Sequence, residues 1–169
     1  MNQSTIEESQ YLTFQSGIEV FGIGILRIKE IKEYVSVTTI PMMPDYIKGV
    51  INLRGNVVPI IDLPVRLGRE KSVISKRSCV IIVEVENEEE SIDIGILVDA
   101  VNEVIDIPAG AIEMAPSFGA KIRAEFIQGI GKLENQFVII LNINRVLSVA
   151  ELSSFEEISI DDVVNKKVI

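Results

Sequence analysis

The sequence contains no histidine, no tryptophan and only one cysteine. The missing histidine removes the commonest general base, the commonest metal ligand and every Ser–His or Cys–His arrangement. A lone Cys79 cannot close an internal disulfide. It lies against the apolar run 80–83, so it reads as a core strand residue. One free thiol suits a cytoplasmic chain. Aromatic residues make up only 5%, so Ile, Val and Leu must fill the core. The formal charge is −9, which supplies no positive field to displace counterions. That argues against a nucleic-acid or anionic-membrane partner. No apolar run approaches the roughly 20 residues that a membrane-spanning helix needs. The opening residues, MNQSTIEESQ, are polar and acidic, unlike a secretory signal, and are expected to be disordered over 1–10. Metal and phosphate motifs are missing too. Gly22-Ile23-Gly24 lacks the third glycine and the following helix of a dinucleotide loop.

What is present is a hydrophobic content of 47% over 169 residues, enough for one domain or two small fused ones. Residues 46–63 read YIKGVINLRGNVVPIIDL. Two apolar runs flank Arg54-Gly55-Asn56, which predicts a β-hairpin with a three-residue connection. Residues 126–143, FIQGIGKLENQFVIILNI, repeat the stretch at a shift of 80. Ile47, Gly49, Leu53, Val58 and Ile60 recur identically, and Tyr46 matches Phe126. Five identities in 18 exceed the roughly one expected of unrelated residues. A second match, at a shift of 73, relates Phe21-Gly22-Ile23, Ile28 and Glu30 to Ile94-Gly95-Ile96, Val101 and Glu103. One β-rich unit is therefore used twice. The copies part at the turn, where Arg54-Gly55 becomes Glu134-Asn135.

Along the chain, strands are expected over 11–14, 19–26, 35–40, 79–85, 92–101 and 104–107, besides the two hairpins. Pro44 predicts a short helix over 45–48. Residues 62–67 predict one helical turn stopped by Gly68, and 144–152 a short helix. The cation-rich stretch 66–77 reads as a solvated connector, with a basic contact patch as the alternative. About ten short strands in two sets of five predict two small barrels, with an apolar seam between them.

No catalytic grouping emerges. Asp62 and Asp99 stand at strand ends and suit turn caps. Glu30 and Arg54 each lie among apolar residues, and their separation permits a pair across a barrel. An enzyme is therefore not expected, and neither is a cofactor or a metal.

The motifs carry a resemblance. ILRIKEI at 25–31, IKGVINLRGNVVPIIDL at 47–63 and GILVDAVNEV at 95–104 resemble the CheW family of chemotaxis adaptors, as do YLTF at 11–14 and the second-half hairpin. The likeness covers about 11–147. It implies an all-β fold of two intertwined five-stranded barrels similar to Src-homology-3 domains. The domain is then 11–152, with subdomains near 11–75 and 76–152 that exchange strands. The tail 153–169 falls outside the likeness. Ile160, Val163, Val164 and Val168 share one helix face, so this tail is expected to dock or fray.

The resemblance also implies a non-catalytic scaffold. Its partners would be the regulatory domain of the histidine kinase CheA and the cytoplasmic tip of methyl-accepting chemoreceptors. Receptor-facing positions would be Ile28, Glu30, Gly49, Arg54, Val101 and Val104, and Phe118 would be a kinase contact. The chain would be cytoplasmic, recruited to membrane-associated receptor arrays without inserting into the bilayer. An adaptor of another chemosensory pathway, such as twitching motility, is one alternative. An acidic small-barrel nucleic-acid binder is another, disfavoured by the charge and the few aromatics.

Overall fold

Runs of Val and Ile make most of this chain into strands, because β-branched side chains fit a pleated surface buried on one or both faces. The computed structural model describes residues 9–87, 90–114 and 124–147. These residues hold β1 (Gln10–Ser16), β2 (Glu19–Gly24), β3 (Ile28–Glu33), β4 (Ile47–Leu53), β5 (Asn56–Asp62), β6 (Cys79–Asn87), β7 (Glu90–Val98), β8 (Ala100–Asp106), β9 (Ile112–Glu113), β10 (Ile127–Lys132) and β11 (Phe137–Leu141). One-turn helices α1 (Leu63–Arg66) and α2 (Ile143–Val146) each follow a hairpin. The fold is mostly β, in two sheets. Sheet A runs β8-β1-β2-β11-β10-β9, and sheet B runs β3-β6-β7-β5-β4.

The sequence repeat maps onto this topology residue by residue. In the first hairpin Ile47 pairs with Ile61, a bulge intervenes, and Gly49 pairs with Ile60. In the second, Ile127 pairs with Leu141, the same bulge intervenes, and Gly129 pairs with Ile140. Each hairpin then takes a parallel neighbour from the other copy. Ile60 lies beside Gly95 of β7, and Ile140 lies beside Gly22 of β2. The copies have thus exchanged strands. Sheet B is built from 28–98, and sheet A from 10–24 together with 100–141.

Both sheets close on themselves. Beyond edge strand β3 the chain crosses back, and Thr38 bridges Val50 on the opposite edge strand β4. Beyond β8 it crosses back as β9, which pairs with β10. Pro108 and a 3-10 turn, Ala109–Ala111, separate β8 from β9. The sixth strand of sheet A is therefore the bent continuation of its fifth. Closure leaves few free strand edges.

Three apolar clusters fill this frame. Sheet B encloses Leu53, Val58, Ile60, Val80, Ile82 and Leu97. Sheet A encloses Tyr11, Ile107, Val138 and Ile140. The largest cluster lies between the sheets. It joins Leu12, Phe14, Phe21 and Ile23 of sheet A to Ile81, Val83, Ile94 and Ile96 of sheet B. Phe14 and Phe21 stack at 5.8 Å. Strands β6 and β7 are buried on both faces, and so their sequences read as continuous apolar runs. Gly95 is required there, because a Cβ would stand 2.7 Å from Val80 Cγ1 inside sheet B.

Several expectations change. Residues 35–40 form no strand, only the single Thr38 bridge, because they serve as the crossing that closes the barrel. Pro44 starts a turn rather than a helix over 45–48. Its carbonyl accepts from Ile47 N–H, and β4 begins at once. The run 92–101 breaks at Asp99, whose backbone N–H turns away to the Gln15 carbonyl. The first hairpin turns in two residues, not three, with Leu53 paired to Asn56. The expected helix over 144–152 is observed as α2, and 148–152 lie outside the described residues.

Candidate partner-binding surfaces

The β4–β5 turn has Arg54 at φ 52° and Gly55 at φ 88°. Two positive central φ values mark a primed turn, whose twist suits the flanking strands. Asn52 Oδ1 accepts from Gly55 N–H at 2.7 Å and fixes the turn. Among the described residues, the non-glycine positions with positive φ are Arg54 and Met42. The second hairpin keeps the strand register, yet neither Glu134 nor Asn135 takes this conformation.

From that turn Arg54 Nη1 reaches Glu30 Oε2 at 2.7 Å. Glu30 lies on β3 just after a bulge at Lys29. Strands β3 and β4 are opposite ends of sheet B, so the ion pair spans the closure of the barrel. It is a surface pair: the arginine side chain is 73% exposed and the glutamate 25%. Ile28 and Val101 occupy matching places in the two copies, and both are half-buried against the cluster between the sheets. Val104, on β8, is 51% exposed.

Gly49 differs from the other expected contacts. It is buried, and a Cβ added to it would stand 2.5 Å from the Thr38 carbonyl oxygen and 2.8 Å from Val37 Cγ2. Its missing side chain serves the chain's own crossing at the barrel seam. Gly129 plays the same part in sheet A, facing Ile112 and the Glu113 carbonyl. Phe118 lies outside the described residues.

The stretch 66–77 is more than a solvated connector. The Arg66 guanidinium sits 4.7 Å from the Tyr46 ring and 4.9 Å from the Phe126 ring, while its Nε donates to the Val146 carbonyl at 2.7 Å. Arg69 holds the Glu19 carboxylate with both terminal nitrogens, tying the loop after α1 to β2. The buried Asp62 carboxylate accepts from Ser72 N–H at 3.1 Å and Ser72 Oγ at 2.7 Å. It anchors a loop and makes no side-chain cap on α1. Asp99 Oδ2 does cap a turn, accepting from Gly17 N–H at 2.8 Å. Sequence reasoning missed the Arg66 stack. Its available signal was the matched aromatic pair Tyr46 and Phe126.

Chemically, these surfaces can bind but show no reacting constellation. Among the described residues no group of three or more Cys, Asp or Glu side chains could hold a metal. No helix among them is long and apolar enough to cross a membrane. Burial pushes the Tyr11 phenol above the ordinary tyrosine value.

The family model for the CheW-like domain matches residues 10–151. The chain belongs to the CheW-like family. It is 36% identical to the chemotaxis protein CheW of Klebsiella aerogenes, over 89% of this chain and 88% of that protein. It is 27% identical to the protein PilI of Pseudomonas aeruginosa, over 81% and 75%. Among solved structures it is similar to the scaffolding protein TtCheW of Thermoanaerobacter tengcongensis, with a TM-score of 0.74 and 36% identity, covering 83% of this chain and 93% of that one. A chemotaxis scaffold of the CheW-like type agrees with two exchanged barrels whose exposed features are contact groups.

Proposed function

We propose that this chain is a non-catalytic adaptor that couples methyl-accepting chemoreceptors to the histidine kinase CheA. It works in the cytoplasm, within membrane-associated arrays. The observation that carries the reading is Arg54. An exposed arginine occupies a positive-φ position that the hairpin would fill better with Gly or Asn. Backbone strain retained at an exposed charged residue points to a contact. Glu30 holds the guanidinium by one nitrogen, which leaves other donors of the fork for a partner. Ile28, Val101 and Val104 add apolar surface suited to a helix laid across the barrels, the mode that would receive a receptor tip. Gly49 supports this surface from inside the seam. Phe118 is assigned to the kinase side, as an aromatic between Pro116 and Gly119.

The test is a titration of the full chain against a receptor-tip fragment and against the kinase regulatory domain. Binding of both supports the adaptor, and binding of neither overturns it. Arg54→Ala should weaken receptor binding about tenfold, a loss of ~1.4 kcal/mol, and spare the kinase. Phe118→Ala should do the reverse. Equal losses at Arg54 would assign that residue to the scaffold. The likeness to PilI favours, as a second reading, an adaptor of another chemosensory pathway, twitching motility included. The receptor and kinase set that binds most tightly separates the two.

A further inference from the structure

The strand exchange relates the two ends of the hairpins by a common internal pattern, and one difference between them is large. In the first copy, Asp62, Leu63 and Pro64 are all buried, and the loop after α1 returns over them with Ser72 on the Asp62 carboxylate. Their counterparts at a shift of 80 are Asn142, Ile143 and Asn144. Asn142 is only half-buried and Asn144 is exposed. Instead of a covering loop there is an open cleft of about 250 Å³ over Tyr11, Leu26, Arg27, Asn142 and Ile143. Leu26 is 56% exposed on its wall. Arg27 has no carboxylate partner among the described residues. Asn142 Oδ1 accepts only a long bond, 3.4 Å, from Arg145 N–H, so it retains acceptor capacity.

The chain that follows α2 has the chemistry to fill this space. Residues 151–157 read ELSSFEE. Ser72 lies 10 residues after Asp62, and the same spacing after Asn142 reaches Leu152, beside Ser153 and Ser154. Leu152 and Phe155 are apolar groups for Leu26 and Ile143, and Glu156 and Glu157 are anions for Arg27. We propose that residues 148–157 fold back into this cleft, as the loop after α1 covers the matching place in the first copy. Ser153 takes the role of Ser72 on Asn142, Leu152 and Phe155 cover Leu26, and the acidic pair meets Arg27.

Amide hydrogen exchange on the full chain tests this. In the variant Leu152→Asp/Phe155→Asp, exchange at 24–27 and 141–144 should be several-fold faster than in the parent, with β6 and β7 unchanged. Equal exchange in the two proteins overturns the proposal. A second measurement stands if that variant folds poorly. The chain has no tryptophan, so Leu26→Trp places a single reporter in the cleft. Its quenching by acrylamide should be several-fold weaker than in the same protein carrying Glu156→Arg/Glu157→Arg, at every protein concentration. A freely quenched Trp in both proteins overturns the proposal by leaving the cleft to an external partner. Shielding that grows with concentration assigns it to a second copy and overturns it too.

Discussion

At the scale of single residues, Arg54 carries opposing terms. Its left-handed backbone costs about 1–2 kcal/mol relative to glycine. Its ion pair, largely exposed, returns at most about 1 kcal/mol and weakens with salt. Arg54→Gly removes the strain along with the pair, so its urea midpoint should equal or exceed that of the parent. Arg54→Ala keeps the strain, and its midpoint should fall by the equivalent of about 0.5–1 kcal/mol. A glycine variant less stable than the alanine variant would show that the strain argument fails. Arg54 and its pairing with Glu30 were legible in the sequence, because the copies differ there and the surrounding residues are apolar. Gly49 was misread. Its burial depends on Thr38 crossing above it, and no local pattern reports which segment crosses a glycine. The Arg66 stack escaped for the same reason, since sequence matches carry no distances.

At the scale of elements, the hairpins were legible because alternation and turn residues are local. The segments that close the barrels were not, since a β-branched run does not say whether it pairs along its length or touches once. Residues 35–40 touch once, through Thr38. That single crossing gives Gly49 its importance. Gly49→Ala forces a Cβ to within 2.5 Å of a backbone oxygen, which a flexible side chain cannot relieve. Such overpacking costs about 1–3 kcal/mol, so the denaturant midpoint should fall clearly. Receptor and kinase binding, measured on the folded fraction, should change together. A variant of parental stability that lost only receptor binding would instead make Gly49 a direct contact.

At the scale of the molecule, the exchange makes two barrels into one cooperative unit. Hairpin β1–β2 precedes all of sheet B in the chain, yet it pairs with β8 and β11 in sheet A. Its inner face, Leu12, Phe14, Phe21 and Ile23, packs against Ile81, Val83, Ile94 and Ile96 of sheet B. Burying each such side chain contributes about 1.5–3 kcal/mol, whereas a whole domain is stable by only about 5–15 kcal/mol. Opening sheet A alone would expose enough of this shared face to exceed the stability of what remained. The Arg69–Glu19 pair and the Arg66 stack tie the halves again outside the core. Thermal unfolding should therefore be a single transition with calorimetric and van't Hoff enthalpies in agreement. Cys79, the half-buried thiol on β6, reports on sheet B. Its labelling midpoint in urea should coincide with the loss of total strand signal. Two resolved transitions, or thiol exposure well before the main loss of structure, would mean that the barrels fold separately and that the shared core binds them only weakly.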